Sequence, residues 1–210
     1  SLGLLKMDFL GLRNLTVIRH TIELVERTRG VKIEMEKLTY DDPKVFELIA
    51  SGDTDGIFQL ESAGMRQLAM QLKAENLGDI MVVIALYRPG PMESIPTYLA
   101  AKRNPKSVKY LHPRLKPILE ETYGCMVYQE QVMEIVRDLA GYSLGRSDLV
   151  RRAMGKKKKD VMENERRIFI YGDEASGVPG AVNRGVPAET AEAIFDQMVE
   201  FAEYAFNKSH

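Results

Sequence analysis

Apolar positions in this chain recur mostly at three- and four-residue intervals. Leu15, Ile18, Ile22 and Val25 form one stripe, which predicts a helix from about residue 14 to 28. Asp42-Pro43 reads as a cap followed by proline at the first helical position, with Gly52 closing that helix. Ser62 can cap a helix carrying Met65, Leu68, Ala69 and Leu72. The apolar run Ile80–Leu86 is a buried helix or a buried strand, and periodicity does not separate the two. Further helices are predicted near 95–102, 113–122, 129–140 (stopped by Gly141) and 157–174. Pro187 opens a last one with Ala191, Ile194, Phe195, Met198, Phe201 and Ala202 on one stripe. Two-residue alternation is rare. Gly56–Leu60 (GIFQL) is the best extended candidate, and the N-terminal LLKMDFL segment reads as a short strand. The expected class is mainly α with little sheet.

Arg88-Pro-Gly-Pro interrupts any regular element, since prolines lack donors and glycine permits a tight turn. Residues 177–186 read as a loop, and a soft boundary is expected near 104–110, around Pro105.

Composition narrows this only modestly. With 210 residues, 45% hydrophobic and 28% charged, the chain matches a globular protein with one sizeable core or two small ones. No apolar run approaches the ~20 residues a membrane span needs. The single cysteine, Cys125, excludes an intrachain disulfide and suits a reducing cytoplasm, the expected location. His20, His112 and His210 stand far apart, so zinc-ligand spacing is absent. The eleven methionines read as core filler. A start without methionine and a stop just after an amphipathic helix suggest a segment of a longer polypeptide.

Charge changes the picture more. The formal net charge is -1, yet between Arg146 and Lys159 seven basic residues face one acid, Asp148. Such a concentration repels itself, and a polyanion would relieve it. On a helix beginning near Ser147, Asp148, Arg151 and Arg152 share a face. Adjacent arginines present forked donors suited to phosphate oxygens, and the lysines add point charges. Gly155 would end that helix and let the lysine run approach a ligand. The plainer reading is a solvated face carrying an Asp148–Arg152 pair.

Other segments leave two readings each. On the N-terminal strand, Lys6 and Asp8 would share a face, as an ion pair or as a carboxylate available to Mg²⁺. Arg88-Pro-Gly-Pro-Met reads as a structural turn. Phe206-Asn207-Lys208-Ser209-His210 is a polar helix end or a reader of base or phosphate. No Walker loop, dinucleotide fingerprint or hydrolase elbow occurs.

Six segments taken in order carry a resemblance. LLKMDFLGLRNL, DGIFQLESAGM, LYRPGPMESIPTY, HPRLKPILEETYG, MVYQEQVMEIVRDLAGYSLGRSDLVRRAMGKKK and FAEYAFNKSH span nearly the whole chain. They resemble the C family of bacterial replicative polymerases, the DnaE-type polymerase III alpha subunits. The resemblance implies a helical fingers domain preceded by a short palm strand. Residues 1–13 would end the palm, 14–104 form a first helical part of the fingers, and 105–210 form a second part holding the nucleotide-binding basic segment.

The same resemblance implies site roles. Asp8 matches the third palm aspartate that helps hold two Mg²⁺ ions, and is thereby catalytic. Lys6 matches a lysine near the incoming triphosphate. Arg151 and Arg152 match fingers arginines that engage it, with Lys156 and Lys157 in the adjoining basic segment. Asn207, Lys208 and His210 fall near the nascent base pair. Many members have glycine where this chain has Ala205. The implied reaction is attack of a primer 3′-hydroxyl on the α-phosphate of a dNTP. The implied partners are dNTP, primer-template DNA and other replicase subunits, with no membrane. The family's paired palm aspartates are missing from this sequence, so the isolated chain is expected to be inactive. Two alternatives remain: a non-enzymatic helical nucleic-acid-binding module using the basic run on backbone phosphates, and a helical interaction scaffold.

Overall fold

The computed structural model describes residues 3–9, 11–155 and 159–208, with side chains given for all of these except 159 and 160. Lys156, Lys157 and His210 lie outside the described residues. The architecture is mainly α: ten helices account for most of the described residues, and pairing between extended segments is limited to two isolated bridges.

Local signals set most helix ends. Helix α1 (Arg13–Arg29) follows its predicted stripe and ends at Gly30, whose φ of 66° lets its N–H reach the Glu26 carbonyl. Asp42 caps α2 (Pro43–Ser51) by accepting from the Lys44 N–H at 2.9 Å. Ser62 caps α3 (Ala63–Leu72) through the Met65 N–H. The ambiguous apolar run becomes α4 (Leu77–Leu86), capped by Asn76, with Val82, Val83, Ala85 and Leu86 buried. Helix α5 is Ile95–Arg103. Its Lys102 reaches the buried Asp79 of α4 at 2.7 Å, a carboxylate that also accepts from the Glu75 N–H.

The predicted 113–122 helix is broken. A short α6 (Lys116–Leu119) lies between 3₁₀ turns at Pro113–Leu115 and Glu120–Thr122. Pro117 lacks the N–H that a continuous helix would bond to the Pro113 carbonyl. Helix α7 (Gln129–Ala140) keeps its expected limits and stops at Gly141. Buried Gln131 accepts from the N–H groups of Val127 and Tyr128 and donates to the Thr122 hydroxyl, fastening α7 to the preceding turn.

Helix α8 (Leu144–Gly155) begins earlier than the expected Ser147. Ser143 is the serine that serves its first turn, accepting from the Arg146 N–H. Ser147 is buried within the helix and returns its hydroxyl to the Leu144 carbonyl. Helix α9 (Lys159–Tyr171) is shorter than predicted, because Gly172 turns the chain at φ 87°. A Cβ there would clash with the Pro179 carbonyl oxygen, so only glycine fits. Pro187 precedes α10 (Ala188–Ala202) as expected.

Neither predicted strand forms. Gly56–Leu60 is a double turn, in which Ile57 N–H bonds the Thr54 carbonyl and Leu60 N–H bonds the Ile57 carbonyl. Leu60 is buried and its carbonyl accepts from the Thr54 hydroxyl at 2.6 Å. Residues 3–9 are exposed and carry no regular structure. A strand requires a neighbour to take its backbone groups, and no described residue pairs with this segment.

Two apolar clusters support everything else. The first joins α2–α5 through Ile49, Leu68, Val83, Leu86 and Tyr98, and takes in Val127 and Tyr128. The second joins α6–α10 around Ile135, Leu139, Met154, Phe169, Ile194 and Met198. The segment after α10 returns to the first cluster, where Phe206 forms a parallel bridge with Tyr128.

Candidate functional site

Helix α8 has two unlike sides. Ser147, Val150 and Met154, at three- and four-residue spacing, are buried, and the helix packs on α7, α9 and α10. Arg152 stands on the exposed side, Asp148 is half-buried, and Arg151 lies beside the buried stripe with its Nε buried and without a hydrogen-bond partner among the described residues. One Asp148 oxygen accepts from Arg151 Nη2 at 2.7 Å; the second pairs with Arg152 Nε at 2.9 Å. Hydrogen bonds from Arg151 first, then from Arg152, hold the Asp148 carboxyl below the usual carboxylate range. The Arg151 side chain is 18% exposed and that of Arg152 is 65% exposed, so Arg152 is the more accessible fork.

Arg146 behaves differently, although the sequence counts it in the same basic run. Its Nη2 donates to Glu165 of α9 at 2.7 Å, and its guanidinium lies 5.8 Å from the centre of the Tyr142 ring. The Tyr142 hydroxyl donates to the second Glu165 oxygen at 3.3 Å. Burial, reinforced by Glu165, pushes the Tyr142 hydroxyl well above its ordinary pKa, so it remains a donor. Arg146 therefore clamps α8 to α9. Among the described side chains of the run, Arg151 and Arg152 remain the phosphate candidates.

Lys6 and Asp8 pair with each other at 3.9 Å, and their side chains are 88% and 76% exposed. The same-side placement expected from alternation holds without a strand. Among the described residues, no hydrogen bond or ion pair joins this segment to α8. Mg²⁺ takes carboxylates together with waters and substrate phosphates. Asp8 offers one carboxylate, and no group of three or more His, Cys, Asp or Glu among the described residues could hold a metal. The described residues do not by themselves fit a complete ion site.

The C-terminal candidates are held by backbone and charge. Phe206 N–H donates to the Val127 carbonyl, and Gln129 N–H donates to the Phe206 carbonyl. Lys208 N–H bonds Glu130, and Lys208 Nζ pairs with Glu121 at 2.6 Å, 5.5 Å from the Tyr128 ring centre. Asn207, next to it, is exposed. This segment lies at the N-terminal end of α7.

One residue escaped the sequence reading. Arg88, taken there as part of a turn, donates to the Tyr204 carbonyl at 2.7 Å and to the Ala85 carbonyl at 3.0 Å. Its guanidinium also stacks 4.8 Å from the Phe206 ring centre. Burial lowers its pKa from the ordinary arginine value. Gly90, at φ 97°, admits the Tyr204 ring, which a Cβ would strike at 2.5 Å. No local signal announces this staple, because its two sides are 116 residues apart.

A cavity of about 370 Å³ lies between this turn and α10, lined by residues including Glu93, Thr97, Cys125, Glu200 and Tyr204. Its lining has two carboxylates and no basic side chain, which disfavours a polyphosphate. Burial pushes the Cys125 thiol up, away from nucleophilic use at neutral pH.

Residues 14–177 match the family model of the bacterial DNA polymerase III alpha subunit finger domain. The chain is 48% identical over 209 residues to DNA polymerase III subunit alpha of Staphylococcus aureus strain COL, and to that of Staphylococcus epidermidis strain ATCC 12228. Each alignment covers 100% of this chain and 19% of the relative, so the chain spans about a fifth of their length.

Proposed function

The chain belongs to the bacterial DNA polymerase III alpha subunit finger-domain family, and on that premise we propose that it is the nucleotide-binding part of a replicative DNA-directed DNA polymerase. Arg151 and Arg152 bind the triphosphate of the incoming dNTP, with Lys156 and Lys157 adding charge nearby and Lys6 approaching from the N-terminal segment. Asp8 supplies one carboxylate to Mg²⁺, the other protein ligands coming from outside this chain. Asn207, Lys208 and His210 lie beside the nascent base pair. Primer-template DNA and further replicase subunits complete the assembly.

The observation that carries this reading is an arginine pair, one fork exposed and one largely buried, that shares a carboxylate on a helix anchored to a core. Phosphoryl transfer depends chiefly on positioning and on neutralising phosphate charge. A guanidinium fork on a fixed helix does both, because it offers parallel N–H donors to phosphate oxygens without first having to be ordered.

The test is Arg152→Ala in the full-length polymerase. It is expected to raise the apparent KM for all four dNTPs and to lower turnover. An effect confined to one base, or none, overturns the triphosphate role. The isolated chain is expected not to incorporate nucleotide on a primed template, and incorporation by it would show a complete catalytic site within these residues.

A further inference from the structure

We propose that Asp148 is a positioning residue for nucleotide binding: its carboxylate gathers Arg151 and Arg152 into one double fork that receives the triphosphate. The inference rests on the reading of those two arginines as triphosphate ligands. Two neighbouring guanidiniums on a helix repel each other, and each ends a long chain of rotatable bonds. Asp148, three residues before one and four before the other, meets both with separate oxygens, at 2.7 and 2.9 Å. Because Arg151 is bound through Nη2 and Arg152 through Nε, the two contacts are not equivalent. The Arg152 contact leaves both of its terminal nitrogens for another acceptor, while Arg151 keeps Nη1.

The geometry sets two effects of the carboxylate against each other. Its negative charge subtracts from the potential that attracts phosphate, but at Arg152, which is 65% exposed, that loss is screened by salt. Its hydrogen bonds fix the donors before the nucleotide arrives, which removes an ordering cost at binding. Arg151 is mostly buried, so its direction is set within the protein and not by solvent. The positioning effect is the larger one in this arrangement.

The experiment is steady-state kinetics of the full-length polymerase on primed DNA with Asp148→Ala, Asp148→Asn, Arg151→Ala, Arg152→Ala and the double variants. Asp148→Ala is expected to raise the apparent KM for all four dNTPs on the order of tenfold, with kcat changing much less. Asp148→Asn, which keeps the size but has only one acceptor oxygen, is expected to fall between it and the wild type. Once either arginine is absent, Asp148→Ala is expected to add much less than it does alone, as coupled residues do. An unchanged or lowered KM in Asp148→Ala and Asp148→Asn overturns the inference. So do penalties that simply multiply in the double variants, with a falling Tm, since these mark a role confined to helix stability. If instead Arg151→Ala and Arg152→Ala leave dNTP KM unchanged, the underlying triphosphate reading fails, and the inference with it.

Discussion

The basic face of α8 and the N-terminal segment up to Tyr40 both carry charged candidates next to apolar residues, yet they are built in opposite ways. On α8 Leu144 and Leu149 are exposed, but Val150 and Met154 are buried with Ser147, so the charges stand on a helix anchored to a core. In residues 3–9 and α1 no residue is buried, and Leu4, Leu5, Phe9, Leu15 and Ile18 all face solvent. An amphipathic pattern tells a segment which side to bury; it does not supply the surface to bury it against. The candidates on α8 can therefore be judged within this chain. Lys6 and Asp8 are exposed and pair with each other, on a segment with no buried residue among those described.

This comparison can be broken by substitution. The largest effect is expected beneath α8: Leu139→Ala, in the fully buried centre of the second cluster, should cost about 2–5 kcal/mol, read from urea unfolding. A smaller loss, about 1–3 kcal/mol, is expected for Arg146→Ala, which leaves the largely buried Glu165 with only the Tyr142 hydroxyl. The same unfolding curves would show it, and a change within error would mean that Glu165 is satisfied by water. The smallest effect belongs to the other region. Leu15→Ala, 68% exposed on α1, should stay within about 0.5 kcal/mol of the parent in this chain. A loss matching that of Leu139→Ala would show that α1 is packed after all, and would remove the contrast.

What could be read from the sequence follows the same division between local and distant causes. Asp42-Pro43, Gly52, Ser62 and Gly141 marked helix ends correctly because a cap satisfies backbone groups within its own turn. Ser143 and Ser147 offer the same side chain as a start for α8. Only the burial of Ser147 against the core separates them. GIFQL and the N-terminal segment have β-type composition, which makes a strand only where a partner strand exists. At the candidate site, the shared face of Asp148, Arg151 and Arg152 followed from helix geometry alone. The diversion of Arg146 to Glu165 and of Lys208 to Glu121 did not, since ion pairs between separate elements leave no spacing to read.

The staple at Arg88 has a consequence in time. Arg88 emerges from the ribosome 116 residues before the Tyr204 carbonyl it binds. At roughly 5–20 residues per second, that interval is about 6–23 seconds. Helices α2–α5 contain their own local contacts and can collapse well within it. The Arg88–Pro91 turn waits through that period, and the Val127 carbonyl and the Tyr128 ring, made about 40 residues after Arg88, wait through the remainder of it for a chain end not yet made. Closing that seam is therefore a late event in biosynthesis, and a chaperone acting on the nascent protein would find this edge open longest.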